Sequence, residues 1–485
     1  MGTRNKIPRQ IPAAYKMKVV KRLAHSVSCP PSTLTPASKR LLRDLGYTVA
    51  HGASEKKIRF LQPRIFNTEE DRQIFDVLRK DPVSERSNII QKELIDYKPH
   101  VRSFNENDQI RITLNHKDAY TLPFESWLLI EGRLLKKDDD TPSPAKFVNN
   151  GYAHLFSEIR YEINGIVIDI VRKPGITTTM KGAASFSRVE RQALAYAGWT
   201  PDDASEEYND WICEPATGKF TGWIQMSAWA GFFEDHRRVV YGVTQELVLI
   251  RGRKDEDCLL SREAATNPAT PSKIVIDNVT WRMPHVQVDG SVKTYLSRII
   301  GTPVKIPIDF IRWELHENPN ILPTKQHTWA IKATAPTKIP QMVMIAFQTA
   351  RSGDLRRNAS QFDNCNLRSM KLFVNDVQYP YRELKATWQG NKHPELFSMF
   401  QNFDIVYNKR HPQSAVTKDT FWNKVPIVIF DCSNHPDPVL DSRLDLKVEW
   451  ECTEDVPDKT SAYALLLYHV SYNYTPISTI VREVT

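Results

Sequence analysis

Residues 155–170 read LFSEIRYEINGIVIDI and carry the clearest structural signal in the chain. Asn164 and Gly165 stand in the middle of alternating apolar residues, and both residue types tolerate the positive φ angles of a type I′ turn. The stretch therefore predicts a β-hairpin with an apolar face and a polar face. The predicted cross-strand pairs are Ile163 with Ile166, Tyr161 with Ile168, Ile159 with Ile170 and, on the polar face, Arg160 with Asp169.

A second hairpin pattern lies at 369–381, SMKLFVNDVQYPY, with Asn375 and Asp376 as its turn. Its predicted pairs are Val374 with Val377, Leu372 with Tyr379 and Met370 with Tyr381. Two strand-like runs precede each hairpin, and a helical pattern and three further strands follow it. We therefore interpret the chain as two copies of one β-rich unit. The predicted strands are Ile110–Leu114, Trp127–Leu134, Trp223–Trp229, Gln245–Arg251 and Lys273–Met283 in the first copy, and Trp329–Ala333, Met342–Gln348, Val425–Phe430, Leu444–Trp450 and Tyr463–Ser471 in the second.

Helical spacing marks the middle of each copy and the segment between the copies. The predicted apolar stripes are Phe186, Val189, Ala193 and Ala197 in the first copy and Leu396, Phe400, Phe403 and Tyr407 in the second. VKTYLSRII (292–300) has helical spacing and precedes a Gly and a Pro. The predicted organisation is a basic arm with short helices (1–95), a first unit (96–290), a linker helix (291–303) and a second unit (304–485).

Composition restricts the class of protein. A chain of 485 residues is too long for one ordinary core, and 41% hydrophobic residues with 10% aromatics argue against global disorder. The six cysteines form no CxxC pattern, so free thiols in a reducing compartment are expected. No apolar run approaches the roughly 18 residues that a membrane-spanning helix needs.

The first 43 residues are strongly basic. They contain ten basic residues and no acidic one, which exceeds the net charge of +8 of the whole chain. Such an arm is typical of a tail that binds nucleic acid, an acidic partner or a nuclear import receptor; a solvated terminus without a partner is the alternative. The candidate binding residues are Arg4, Lys6, Arg9, Lys16, Lys18, Lys21, Arg22, Lys39, Arg40 and Arg43.

The sequence lacks the common catalytic motifs: GxxxxGK[ST], GxSxG, HExxH and zinc-type Cys/His spacing are all missing. The triplet His-x-Asp, which some β-barrel oxygenases use to bind iron, occurs at 116–118 and 435–437. With 13 histidines in the chain such triplets also arise by chance, and Pro436 would constrain the geometry of the second.

A nucleophile group of Asp431, Cys432 and His435 is the other chemical hypothesis. An Asx-type turn after the strand 425–430 explains the same residues more simply. We therefore expect no catalytic residue, no metal site and no cofactor.

Two alternating β units with a helix in each are typical of a tandem jelly roll. The stretches FVNNGYAHLFSEIRYEINGIVIDIVRKPGITTTMKG (147–182) and RRNASQFDNCNLRSMKLFVNDVQYPY (356–381) resemble a family from invertebrate genomes, the double jelly-roll major capsid proteins of Polinton-like and adintovirus-like elements in the PRD1–adenovirus lineage. The resemblance covers most of 95–480 and leaves the basic arm outside. The expected fold is all-β, with two antiparallel β-sandwiches in tandem, short helices in the connecting loops and a basic N-terminal arm.

The resemblance implies a structural, hexon-like capsid protein of an icosahedral DNA virus or virus-like mobile element. Two jelly rolls per chain give six per homotrimer, and hence a pseudo-hexagonal capsomer. The implied partners are neighbouring capsomers, penton and minor capsid proteins and, through the arm, genomic DNA. The implied location is the virion, after assembly in the host nucleus or cytoplasm. The alternatives are a non-viral or domesticated β-sandwich binding protein and an iron oxygenase with a jelly-roll fold.

A trimer needs a large apolar contact surface between subunits. Large aromatic residues cluster near strand ends at comparable places in the two copies and are the candidates for this surface. The alternative is that they cap the sandwich cores. The candidate interface residues are Trp223, Trp229, Phe232, Phe233, Phe421 and Trp422.

Overall fold

The computed structural model describes residues 89–116, 118–201, 212–263, 268–288, 290–300, 305–333, 338–375, 377–380, 394–435, 444–476 and 478–484. Two further strands, Val49–His51 and Ile58–Phe60, form an antiparallel ribbon. Contacts within the chain divide it into two compact units, Met1–Arg86, which contains this ribbon, and Ser87–Thr485. The basic arm and the short helices predicted with it lie outside the described residues.

The first half of the chain forms a sandwich of two antiparallel sheets, with the strand orders β6-β3-β8-β1 and β2-β7-β4-β5. This is the arrangement of an eight-stranded jelly roll. The first sheet begins at Ile89, within the segment 1–95 that we expected to precede the sandwich. Short pairs add Tyr120–Thr121 beside β8, and Lys146–Phe147 against Leu259–Leu260. The eight strands are β1 (Ile89–Tyr97), β2 (Gln109–Leu114), β3 (Trp127–Lys136), β4 (Phe156–Ile163), β5 (Ile166–Arg172), β6 (Lys219–Gln225), β7 (Gln245–Arg251) and β8 (Ser272–Val288).

The second half repeats this architecture. Its sheets have the orders β9-β16-β11-β14 and β10-β15-β12-β13, so each strand occupies the place of the strand eight numbers before it. The C-terminal strand Ile480–Glu483 pairs with β16. The predicted all-β tandem jelly roll is confirmed. The strands are β9 (Ile306–Asn318), β10 (Gln326–Ile331), β11 (Met342–Thr349), β12 (Leu367–Val374), β13 (Val377–Tyr379), β14 (Val428–Asp431), β15 (Leu446–Cys452) and β16 (Thr460–Thr475).

The hairpin β4–β5 has the predicted turn, since Asn164 and Gly165 have φ angles of 51° and 77°. Ile163 faces Ile166 as predicted. The remaining pairs are wrong by one residue, because a β-bulge leaves Ile168 without a partner. Below the bulge the observed pairs are Tyr161 with Asp169, Arg160 with Ile170 and Ile159 with Val171.

The hairpin β12–β13 keeps its predicted register. Asn375 has a φ angle of 52°, Val374 faces Val377 and Leu372 faces Tyr379. The third predicted pair includes Tyr381, which lies outside the described residues.

Helices fill the connections between strands. The helix predicted at 292–300 is present as α5, and in α6 the predicted stripe residues Leu396, Phe400 and Phe403 are buried. The stripe predicted in the first copy is wrong, because α2 ends before Phe186 and Val189 is 74% exposed. The helices are α1 (Gly151–His154), α2 (Pro174–Ser185), α3 (Arg188–Ala193), α4 (Gly231–Asp235), α5 (Gly290–Ile300), α6 (Pro394–Val406) and α7 (Lys418–Asn423), with 3₁₀ turns at Pro123–Glu125, Ala195–Ala197, Met226–Ala228 and Asp255–Cys258.

Alternation along the strands builds one core in each sandwich. In β15, for example, Leu446, Val448 and Trp450 are buried and the residues between them are half-buried. The two cores exchange residues. Phe310 of β9 packs in the first core, and Met180 of α2 packs in the second.

Candidate functional site: the joint between the two jelly rolls

The two jelly rolls meet along an extensive contact, which we call the joint. Strand β5 and helix α4 of the first half pack against β9 of the second half, and helix α2 packs against α6. All twelve residues of α2 are buried. The joint is therefore formed by strands and helices of both halves, and its side chains are as buried as those of a domain core.

Helix α4 approaches β9 so closely that only glycine fits at its first position. A Cβ atom on Gly231 would lie 1.8 Å from the carbonyl oxygen of Ile311. At the other end of α4, the Asp235 carboxylate accepts a hydrogen bond from the Ile311 amide at 2.8 Å. One residue of β9 thus fixes both ends of the helix.

A buried ion pair lies where α2 and α4 meet the second jelly roll. The Lys181 side chain is 1% exposed, and its Nζ donates a hydrogen bond to Glu234. Tyr407 donates its hydroxyl to the same carboxylate at 3.1 Å and accepts a hydrogen bond from Trp313 Nε1 at 3.3 Å. The ammonium group also lies 4.9 Å from the Trp313 ring centroid and 5.2 Å from that of Tyr407. Two residues from each half therefore satisfy one another's charge and polar groups.

A second buried polar group, on β5, explains the bulge in the first hairpin. Asp169 is 1% exposed, and its carboxylate accepts a hydrogen bond from the Phe232 amide at 2.9 Å. Burial raises the pKa of Asp169, and the Phe232 amide and the Arg312 guanidinium oppose this shift. From β9, Arg312 donates to the carbonyl of Ile168 at 2.7 Å and to the hydroxyl of Tyr472 at 2.6 Å.

The loop after α6 ties the second jelly roll to α2 and α3. Arg410 donates to Glu190 at 2.6 Å and to Asp404 at 3.1 Å, and it also bonds the carbonyl of Ser185. Ser414 donates to the carbonyl of Ala183 at 2.7 Å. The contacts with Glu190, Ser185 and Ala183 cross the joint between residues more than 200 positions apart in the chain, whereas Asp404 holds Arg410 from within the second half.

Two neutral histidines complete the joint region. The ring of His154 packs against Gly175, and its Nε2 lies 3.3 Å from the hydroxyl of Ser360 in the second half. Burial lowers the pKa of His154 to about 4. His236 stacks on Phe232 at 5.1 Å, and burial, followed by the nearby Arg238 charge, lowers its pKa to about 4. Both rings are therefore uncharged at neutral pH.

The arrangement of the joint is suited to holding two domains in one orientation. Polar groups on both sides have partners across the joint, since the Ile311 amide donates to Asp235, Arg312 donates to the carbonyl of Ile168, and Arg410 donates to Glu190. Separating the halves would leave these groups without those partners. The described residues contain no group of three or more His, Cys, Asp or Glu side chains that could hold a metal ion.

Four of the six candidate interface residues are buried inside the chain. Trp229, Phe232, Phe233 and Phe421 are each 0% exposed, so the prediction of a subunit interface is wrong for these four. Phe232 packs against Phe310 with ring centroids 5.7 Å apart, which places it in the joint. Trp223 and Trp422 are half-buried and stay candidates.

The residues considered for chemistry have structural roles in the described parts of the chain. Asp431 accepts hydrogen bonds from the amide and hydroxyl of Ser433 at 2.9 and 2.6 Å, which is the expected Asx turn. Cys432 is buried, and burial raises its thiol pKa far above the usual range. His116 lies edge-on to Tyr97 and His285, at 5.8 and 6.0 Å between ring centroids. Residues 117 and 436–437 and the basic arm lie outside the described part.

Sequence reasoning missed the joint, although some of its residues carried a signal. Lys181 is the only charged residue in the run ITTTMKGAAS, where a lysine surrounded by small and apolar residues indicates a buried partner. Asp169 interrupts an apolar strand in the same way. No comparable local pattern marks Arg312 or Arg410.

No described helix is long and apolar enough to cross a membrane.

Two solved structures with this architecture are viral proteins. VP54 of PBCV-1, fitted into a reconstruction of the virophage Sputnik, has a TM-score of 0.54 and 9% identity, over 84% of this chain and 99% of that one. The mavirus major capsid protein has a TM-score of 0.53 and 11% identity, over 90% and 96%. At such identities the similarity establishes the fold alone. No curated protein sequence matches the chain. Residues 145–470 match the model of the double jelly roll-like domain, and the chain therefore belongs to the double jelly roll-like domain family.

Proposed function

We propose that this chain is the major capsid protein of an icosahedral DNA virus or virus-like mobile element. The observation that carries the proposal is the joint, which holds two jelly rolls side by side through hydrogen bonds between the halves and close packing of helix α4 on β9. Such a unit has two similar building blocks in a fixed orientation, as a capsomer with near-sixfold packing requires. The viral capsid proteins that share this fold support the proposal. They also support the expectation that the chain is not an enzyme.

The proposed assembly is a homotrimer with a pseudo-hexagonal outline, located in the virion and contacting neighbouring capsomers, penton and minor capsid proteins. Three chains would place six jelly rolls around one axis. The similarity of 147–182 and 356–381 to Polinton-like and adintovirus-like capsid proteins is the basis for proposing an element of that kind. Assembly in the host nucleus or cytoplasm belongs to the same proposal.

Sedimentation velocity and negative-stain electron microscopy of the purified chain test the assembly. A trimer has three times the chain mass of 55.9 kDa. The expected result is this species at micromolar concentration, with hexagonal particles in projection. A monomer at every concentration and salt condition would contradict the capsid proposal.

The basic arm is proposed to contact the packaged genome. Ten positive charges without an acidic residue suit a phosphate backbone, and affinity that depends on them falls as salt increases. Deleting residues 1–45 is expected to weaken DNA binding and to reduce its salt dependence, measured by fluorescence anisotropy at several salt concentrations. Unchanged affinity and salt dependence in the truncated chain would show that the arm does not bind DNA.

A β-sandwich binding protein is the second candidate. A groove of about 810 Å³ on the first jelly roll favours it, with Tyr196, Ile212, Phe220 and Trp223 among its lining residues. Aromatic grooves of this size are typical of small-ligand sites. The sedimentation experiment separates the two functions, because a binding protein of this kind has no need to trimerise.

A further inference from the structure

A cleft opens on the first jelly roll beside the joint. Its volume is about 450 Å³, within the range of about 300–1,000 Å³ that is typical of small-ligand sites. Residues of α3 and α4, the first residue of β3 and the last residue of β6 contribute to its lining. The cleft shares no lining residue with the groove of about 810 Å³ on the same jelly roll, so the two are separate sites.

Aromatic rings form the apolar part of the cleft. Phe233 is fully buried, whereas Phe124, Trp127 and Phe186 are half-buried and keep part of their surface accessible. Small-ligand sites commonly have such walls, with a few polar groups that fix the orientation of the ligand. The rings therefore suit the apolar body of a small organic molecule.

The two carboxylates that line the cleft already have partners on both of their oxygens. The Glu190 oxygens accept hydrogen bonds from the two terminal nitrogens of Arg410, at 2.6 and 3.1 Å. Glu234 accepts from Lys181 with one oxygen and from the Tyr407 hydroxyl, at 3.1 Å, with the other. A cationic ligand would have to displace these partners, so the lining does not favour a cation.

The polar groups of the cleft that remain available are hydrogen-bond donors. Arg237 is exposed, and within the described part of the chain its guanidinium makes one hydrogen bond, from Nε to the main-chain carbonyl of Glu234 at 3.3 Å. The nearby Asp235 carboxylate instead accepts the main-chain amide of β9. The Gln225 amide and the Ser227 hydroxyl also line the cleft, half-buried and without a side-chain hydrogen bond to any described residue. The cleft thus offers donors to an acceptor that a ligand would bring.

The cleft and the joint have residues in common. Phe233 and Glu234 belong to α4, which packs against β9, and Phe186 follows α2 directly. The Lys181 ammonium group lies 5.5 Å from the Phe186 ring centroid. A ligand in the cleft would therefore lie next to the ion pair of Lys181 and Glu234, and its binding would stabilise the folded joint by mass action.

We propose that the cleft binds a small monocarboxylate with an aromatic body, which lies against Phe124, Trp127 and Phe186 while its carboxylate pairs with Arg237. A guanidinium suits a carboxylate because the two form parallel, charge-assisted hydrogen bonds. The site adds ligand binding to the joint, and it does not depend on the proposed capsid function or on trimer formation.

The test is isothermal titration calorimetry of the full chain with phenylbutyrate, phenylbutanol and phenylbutylamine, which share one body and differ in their polar group. The wild type is expected to bind the carboxylate about tenfold more tightly than the alcohol or the amine. Arg237→Gln is expected to reduce the affinity for phenylbutyrate to that for phenylbutanol. Arg238→Gln is the matched control, because Arg238 is the next residue, is also exposed and does not line the cleft, and it should keep the preference for the carboxylate.

A second variant tests where the probe binds. Ala193 is exposed at the end of α3 and lines the cleft, so Ala193→Trp is expected to fill the cleft and to weaken the binding of all three probes. Wild-type affinity for phenylbutyrate in Ala193→Trp would overturn the assignment of the cleft. Absence of phenylbutyrate binding to the wild type, tighter binding of the amine, or a preference for the carboxylate that persists in Arg237→Gln would each overturn the proposal as well.

Discussion

Replacing Gly231 with alanine tests whether the joint is as tightly packed as the structure indicates. The new Cβ would lie 1.8 Å from the Ile311 carbonyl oxygen, whereas real Cβ contacts are almost never under 3.0 Å, so helix α4 and strand β9 must separate by more than an ångström. A shift of this size breaks the 2.8 Å hydrogen bond between Asp235 and the Ile311 amide. Overpacking costs about 1–3 kcal/mol and a lost hydrogen bond to a charged group about 1.5–3 kcal/mol. The expected loss in the free energy of unfolding is therefore about 2.5–6 kcal/mol.

The assay is thermal unfolding of the purified variant. The unit that contains both jelly rolls, Ser87–Thr485, has roughly 400 residues. At about 2 cal/mol/K per residue its unfolding entropy is about 0.8 kcal/mol/K, so the melting temperature is expected to fall by about 5 °C if both halves unfold together. Gly290→Ala is the control, because a Cβ at Gly290 meets nothing within 4 Å and alanine favours the helix that begins there.

Close packing of α4 on β9 is refuted if Gly231→Ala melts within 1 °C of the wild type while Gly290→Ala behaves as expected. That result would mean that α4 is not pressed against β9, and the joint would then be a loose contact rather than a fixed one.

Three further predictions follow from the buried and strained positions. His154 and His236 have pKa values of about 4 in the folded chain and about 6.5 when unfolded. Their contribution to the free energy of unfolding is therefore fully present above pH 6.5 and is lost as the pH falls toward 4. Urea denaturation midpoints at pH 7.5 and 5 should show this loss, and His154→Gln should reduce the pH dependence. Gly165→Val should lower the free energy of unfolding by more than about 1 kcal/mol, because valine is strained at the φ angle of +77°. A Cβ at this position meets no atom within 4 Å, so the loss would come from the backbone and not from packing. An unchanged midpoint of urea unfolding would contradict the turn. Lys181→Met should lower the free energy of unfolding by about 3–5 kcal/mol, because it leaves Glu234 without its ion-pair partner. Adding Glu234→Gln should recover part of this loss. A double variant as unstable as Lys181→Met would show that the ion pair is unimportant.

The hairpins were predictable because their turns depend on local chemistry. Asn164 and Gly165 need positive φ angles, and nothing distant in the chain changes that requirement. The bulge at Ile168 was not predictable from alternation, because it places Asp169 where the Phe232 amide can reach it. Phe232 lies 63 residues further along the chain, so the register of the strand depends on a tertiary contact.

The aromatic clusters show a different limit of sequence reasoning. A large apolar side chain near a strand end suits a subunit interface and a domain core equally well, and only the position of a second element separates the two. For Phe232 that element is β9, about 75 residues away in sequence, whose Phe310 packs against the ring of the fully buried Phe232. Trp223 also lies among apolar residues in the sequence, but its side chain is on the outward face of the first sheet and is only half-buried.

The outward faces of β1 and β9 differ in exposure, and the difference is that of a surface open to solvent and a surface covered within one chain. The joint lies within one chain, where the two halves are always at a high effective concentration, so buried charges such as Lys181 and Glu234 can be desolvated once, during folding. A contact between chains has to form from separate, solvated molecules and has to remain soluble before assembly. The outward face of β1 is a solvated surface, because Ile90 and Leu94 are exposed and the ion pair between Asp96 and Arg282 is partly exposed and already formed within one chain. The outward face of β9 is desolvated, because Ile308 and Phe310 are buried among residues of the first jelly roll of the same chain.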